Sequence, residues 1–197
     1  CLSQVLDIQP DHFEATLLMG LLEKGCGNLQ AAQKFLERAV RLRDGSHSAH
    51  AALGSLFMDR NTPHRAVDHL NRALELKPLA TTHFMLGTFY CQDGHQRRAI
   101  KHLKEATHLD PKFGEAFYQL GLAYRKLNWS KKAQECFQHA QELDPREVRY
   151  HCPSASSGKS DRQSDSHFRD RLNPDQLSGL VSEELHLTTC WDPKRSK

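Results

Sequence analysis

Thirteen histidines and six cysteines are the residues in this chain whose chemistry matters first. They are the side chains that ligate metals, move protons near neutral pH and attack electrophiles. Their spacing argues against all three uses. Cys1, Cys26, Cys91, Cys136, Cys152 and Cys190 show no close C-x-x-C pairing, so they read as reduced thiols. His64 and His69, His95 and His102, and His102 and His108 miss the i,i+4 spacing that sets two ligands on one helical face. His47 and His50 stand three apart, with no nearby cysteine or acid to complete a site. The histidines therefore read as solvated helix-surface residues, and neither a metal nor a cofactor is expected. There is no nucleophile–base motif, no Walker loop and no G-x-G-x-x-G, so the chain is not expected to be an enzyme.

The elements that carry these residues are written in a different pattern. Gly20, Gly54, Gly87 and Gly121 recur at 34, 33 and 34 residues. Ala32, Ala66, Ala99 and Ala133 keep that rhythm, as do Ala39, Ala73, Ala106 and Ala140, and Leu42, Leu76, Leu109 and Leu143. A period of this length marks a repeat array, each unit burying its apolar face against its neighbours. The units run 13–46, 47–79, 80–113 and 114–147, with 1–12 as the tail of an earlier one. Within each, an apolar-periodic stretch ends near Gly27, Asn61, Gly94 or Asn128, residues that tolerate positive φ. A second stretch follows, and Pro78, Pro111 and Pro145 close three of the four. Each unit is a helical hairpin. Its glycine is expected to face the first alanine of its partner helix, with Leu36, Leu70, Leu103 and Phe137 packed around them.

Leu53-Gly54, Leu86-Gly87 and Leu120-Gly121, followed three residues later by Phe57, Tyr90 and Tyr124, resemble the tetratricopeptide repeat. The alanine columns and the three prolines complete the resemblance, which covers 13–147. The first unit departs from it, with Glu23 for the aromatic and Asp44 for the proline. The resemblance implies an all-α, right-handed solenoid of stacked helix-turn-helix hairpins. It also implies a concave groove lined by the first helix of each hairpin. Placed on this sequence, that face selects Leu17, Ala51, Phe84 and Tyr118, then Leu21, Ser55, Thr88 and Leu122, then Lys24, Met58, Cys91 and Arg125. Of these, Leu17, Leu21, Ala51, Ser55, Met58, Phe84, Thr88, Tyr118, Leu122 and Arg125 are the candidate partner-binding residues. Phe84 and Tyr118 are the expected anchors, because aromatics dominate interface energetics. The competing reading is that Leu17, Leu21 and Leu122 pack inside the chain.

Such a groove suits a partner's amphipathic helix or extended segment. Related co-chaperones hold a heat-shock C-terminal carboxylate with a cationic clamp. At the corresponding positions stand Leu17, Leu21, Ala52, Thr81 and Met85, so that partner is not expected.

Composition narrows the classes further. With 27 basic and 24 acidic residues the formal charge is +3, too balanced for a phosphate-binding stripe, so no nucleic acid is expected. No apolar run is long enough for a membrane span and nothing at the start reads as a signal peptide; with the cysteines read as reduced thiols, the cytoplasm is the expected compartment. The opening at Cys1, midway through a repeat, reads as a fragment of a longer array. After 147 the register stops. Pro153 and Ser154-Ala155-Ser156-Ser157-Gly158 begin a serine-rich stretch, and 148–197 is expected to be largely disordered. Asn173-Pro174 could open a short amphipathic helix over 174–187, bearing Leu177, Leu180, Val181 and Leu185. The function expected is a non-catalytic scaffold or adaptor for protein–protein interaction. The alternative is a substrate- or partner-recruiting module of a larger enzyme.

Overall fold

The computed structural model describes residues 2–147. Among these residues nine α-helices follow one another without a strand. They are α1 (Leu2–Ile8), α2 (Phe13–Gly25), α3 (Leu29–Leu42), α4 (His47–Asp59), α5 (Pro63–Leu76), α6 (Ala80–Gln92), α7 (Gln96–Leu109), α8 (Gly114–Lys126) and α9 (Ser130–Leu143). Helices α2–α3, α4–α5, α6–α7 and α8–α9 form four antiparallel hairpins stacked in an α-solenoid. The expectations for 148–197, including the helix at 174–187, lie outside the described residues.

The turn inside each hairpin is built the same way. Gly27, Asn61, Gly94 and Asn128 have φ of 80°, 55°, 79° and 60°. One residue in this left-handed conformation lets the following N–H reach back five residues. Asn28 bonds Glu23 O at 2.9 Å, Thr62 bonds Phe57 O at 2.9 Å, His95 bonds Tyr90 O at 2.9 Å, and Trp129 bonds Tyr124 O at 3.0 Å. These are Schellman closures, which satisfy carbonyls that a helix end otherwise leaves unpaired.

The second helices are amphipathic in the simplest way. Each buries one stripe: Ala32, Leu36 and Ala39; Ala66, Leu70 and Ala73; Ala99, Leu103 and Ala106; Ala133, Phe137 and Ala140. Spacings of four and three keep such residues on one face. The glycine column faces the large member of that stripe, with the expected first alanine also close at Gly54, where Ala66 O lies 3.2 Å from an added Cβ. A Cβ on Gly20, Gly54 or Gly87 would lie 2.7, 2.7 or 2.5 Å from a carbon of Leu36, Leu70 or Leu103. On Gly121 it would lie 2.6 Å from Phe137. A large side chain thus sits directly on bare backbone, and only glycine permits it.

The first helices are more enclosed. α4 is buried at every position from His47 to Phe57. It packs on α5 within its hairpin, and on α2 and α6 on either side. Successive first helices touch (α2 with α4, α4 with α6, α6 with α8), with no comparable packing of consecutive second helices. The first helices therefore lie on the inside of the curve. The core is a chain of overlapping clusters: one spans α2–α5, a second α4–α6, a third α6–α9.

Candidate partner-binding groove

Close packing closes much of the face expected to carry the three residue rows. Leu17, Ala51, Ser55, Phe84 and Thr88 are buried within this chain. Leu17 packs with Ala49, Ala52 and Leu53 of the next hairpin. Ala51 sits against Leu70, Ala73, Met85 and Leu86. Phe84 lies over Phe113, ring centroids 4.8 Å apart. These five candidates are seam residues, because the small side chains of α4 let the flanking first helices come close enough to cover them.

Leu21, Met58, Tyr118 and Leu122 are half-buried, and Arg125 is exposed. Leu21 and Met58 rest on the clusters around α4. Tyr118 tilts against Phe137 at 5.6 Å, and the Arg125 guanidinium stands 5.8 Å from that ring on the same side of the array. The accessible surface is thus apolar with a cation at the fourth hairpin. Further back, it narrows to Leu21 and Met58.

Lys24, placed in the third row, is committed internally. Its side chain is 7% exposed, and its Nζ lies 3.1 Å from Asp59 Oδ2. It also donates to Ser55 Oγ at 2.6 Å. This ties α2 to α4 across the groove floor. The available signal was opposite charge on consecutive first helices, which a reading of single columns misses. Lys24→Ala is expected to destabilise the array by about 1–3 kcal/mol. Breaking a buried ion pair costs about 3–5 kcal/mol, less here because Asp59 is partly wet. Urea unfolding measures it. Adding Asp59→Leu should recover part of the loss, and a free lysine on the groove wall would show neither effect.

The remaining polar groups face inward as well. Thr88 Oγ1 donates to Met85 O at 2.9 Å, and Lys126 Nζ reaches Cys91 O at 3.5 Å. Burial pushes the Cys91 thiol up to about 11, only partly opposed by Lys126. Burial and Glu135 raise Cys136 to about 11. Both stay protonated at neutral pH and are poor nucleophiles. Among the described residues no group of three or more His, Cys, Asp or Glu is placed to hold a metal. None of the described helices is long and apolar enough to cross a membrane.

The sequence model of the tetratricopeptide repeat family matches residues 13–45 and 114–147, the first and last of the four hairpins. Those two hairpins are similar to the tetratricopeptide repeat, and the two between them repeat the same helical hairpin. The array is similar to a crystal structure of MamA, with 27% identity and a TM-score of 0.67 over 76% of this chain and 88% of that one. YrrB, described as a TPR protein with an unusual peptide-binding site, shares the fold at 17% identity. Its TM-score is 0.65, over 93% of this chain and 91% of YrrB. Pseudomonas aeruginosa pilF is similar at 22% identity and a TM-score of 0.66, over 87% of this chain and 75% of pilF. No curated protein sequence matches. The glycines and alanines that carry the resemblance are the helix-contact residues described above.

Proposed function

We propose that this array is a non-catalytic scaffold or adaptor that holds a partner's helix or extended segment on its concave face, in the cytoplasm. The observation that carries the reading is the opening of that face at the fourth hairpin. Arg125 is exposed and Tyr118 and Leu122 are half-buried there, while Ala51, Ser55, Phe84 and Thr88 in the same rows are covered. An apolar strip ending in a cation suits a partner segment with two or three apolar anchors and an acidic end. The peptide-binding site in the description of YrrB supports the same use of the fold.

The test compares partners captured from cell extract by the wild-type chain and by a Leu122→Glu/Arg125→Glu variant. Arg125 is exposed and Leu122 half-buried against the core, so the two chains are compared at matched circular dichroism and melting. Loss of specific partners from the variant supports the reading. An identical set on both chains would move the function to another face.

A further inference from the structure

The two central hairpins share an arrangement of rings at the same register. His50 Nδ1 lies 3.1 Å from His69 Nδ1, and His83 Nδ1 lies 3.2 Å from His102 Nδ1. Each pair joins the first helix of a hairpin to its second. Phe57 stacks on His69 and Tyr90 on His102, both at 5.6 Å between centroids. Arg65 and Arg98 stand 5.7 and 5.8 Å from those aromatic rings. The outer hairpins lack the pair: Thr16 and Phe35 stand at these registers in the first, Phe117 and Cys136 in the fourth.

Two imidazole nitrogens this close need one proton between them, with one ring donating and the other accepting. At the first pair the roles are set by a third group. His50 Nε2 lies 3.1 Å from the carbonyl oxygen of Asp44, which can only accept. A neutral His50 therefore carries its proton on Nε2 and presents a lone pair at Nδ1, to which His69 Nδ1–H donates. One added proton leaves this bond intact, since an imidazolium still donates to a neutral ring. A second leaves two N–H groups and two positive charges facing each other, with no acceptor between them.

We propose that the two histidine pairs are a proton-operated latch inside the array: neutral or singly protonated, each pins its hairpin closed, and the second proton releases it. Because His50 and His83 lie on α4 and α6, release loosens the helices that form the groove floor.

The surroundings resist the second proton. Burial holds His69 and His83 below the ordinary histidine value, with His50 adding to the effect on His69. Burial and then His83 press His102 down to about 4. Around the first pair, Asp68 and Glu37 favour protonation of His69 and Arg65 opposes it. Asp44 Oδ1 lies 3.5 Å from His50 Nε2, with Arg72 3.8 Å from the other carboxylate oxygen. Around the second pair, Glu105 favours protonation and Lys101 opposes it. Pro78 stands where the first pair has Asp44, so the second pair is the harder to charge.

The sign follows from linkage. An unfolded histidine takes its proton near pH 6.5, whereas His69, His83 and His102 in the folded array resist it to lower pH. Between those values the unfolded chain binds more protons. Stability is therefore complete above about pH 6.5 and falls as pH drops toward about 4.

The test uses the full chain and residues the array already tolerates at these registers: His83→Phe/His102→Cys from the fourth hairpin, and His50→Thr/His69→Phe from the first. Urea midpoints are measured from pH 7.5 to 4. The wild-type midpoint should fall steeply below pH 6.5, and the combined variant should lose most of that slope. Parallel curves would overturn the latch. Should the combined variant not fold, nitrogen-15 shifts of the wild-type imidazoles decide. His69, His83 and His102 should complete their titration well below the ordinary histidine value, and titration of all three near 6.5 would overturn it.

Discussion

Leu103→Ala is expected to cost the array about 2–5 kcal/mol, and Gly87→Ala is expected to give part of that back in the same molecule. Leu103 is fully buried, with its Cγ 2.5 Å from where a Gly87 Cβ would stand. Truncating it opens a cavity against the bare backbone of α6, which cannot collapse because α6 also packs on α4 and α8. Alone, Gly87→Ala forces Leu103 aside, an overpacking cost of about 1–3 kcal/mol. That is offset by about 1 kcal/mol of helix propensity. With Leu103 gone the methyl group has room, and the propensity gain remains. Urea unfolding of the two single variants and the double variant gives the coupling. Additive costs would mean that the two positions do not meet.

The second large effect concerns Phe84. Phe84→Ala is expected to destabilise by about 3–5 kcal/mol and to act on one seam. The ring is 3% exposed, tilts against Phe113 and shares a cluster with Ala116 and Leu120 of α8. Its loss opens a cavity at the seam between the third and fourth hairpins. In a linear array an end unit detached from its neighbour unfolds first. Hydrogen exchange should show α8 and α9 losing protection while α4 and α5 keep theirs. Equal loss throughout would argue for a single cooperative unit. Wild-type protection with lost partner capture would restore Phe84 as a surface anchor. The burial also decides which variants probe binding: a glutamate at Phe84 tests folding, whereas one at Leu122 tests the groove.

The hairpins were legible because period is a one-dimensional property. The glycine, alanine and proline columns set the helices, and the turns followed from which residues tolerate positive φ. The groove was legible only as a face. Whether Ala51 or Ser55 on that face meets solvent depends on how closely α2, α4 and α6 approach. That distance is set by small residues on neighbouring hairpins, not by the row itself. The glycine's nearest partner was misjudged for a related reason. Leu36, sixteen residues after Gly20, reaches across the hairpin, and small-against-small packing is not needed when a leucine can lie on bare backbone. The histidines were the clearest loss. A search within single helices at three- and four-residue spacing cannot find His50 with His69, which lie on two helices. The signal was present, however, as a histidine four before and fifteen after the glycine in both central units.

The packing of each helix with its sequence neighbours, and of first helices with the next first helix, leaves the described ends of the array unconnected to each other. Tension applied between those ends has no route around a seam and must pass through every one in series. The array is then a spring whose compliance is the sum of its joints. The thinnest inner joint, between α5 and α6, should yield before the broader one between α7 and α8. Stretching would flatten the curve of α2, α4, α6 and α8 and widen the spacing between Tyr118 and the residues behind it. A partner seated along that curve would feel the pull as a change of pitch, without touching the ends where it is applied.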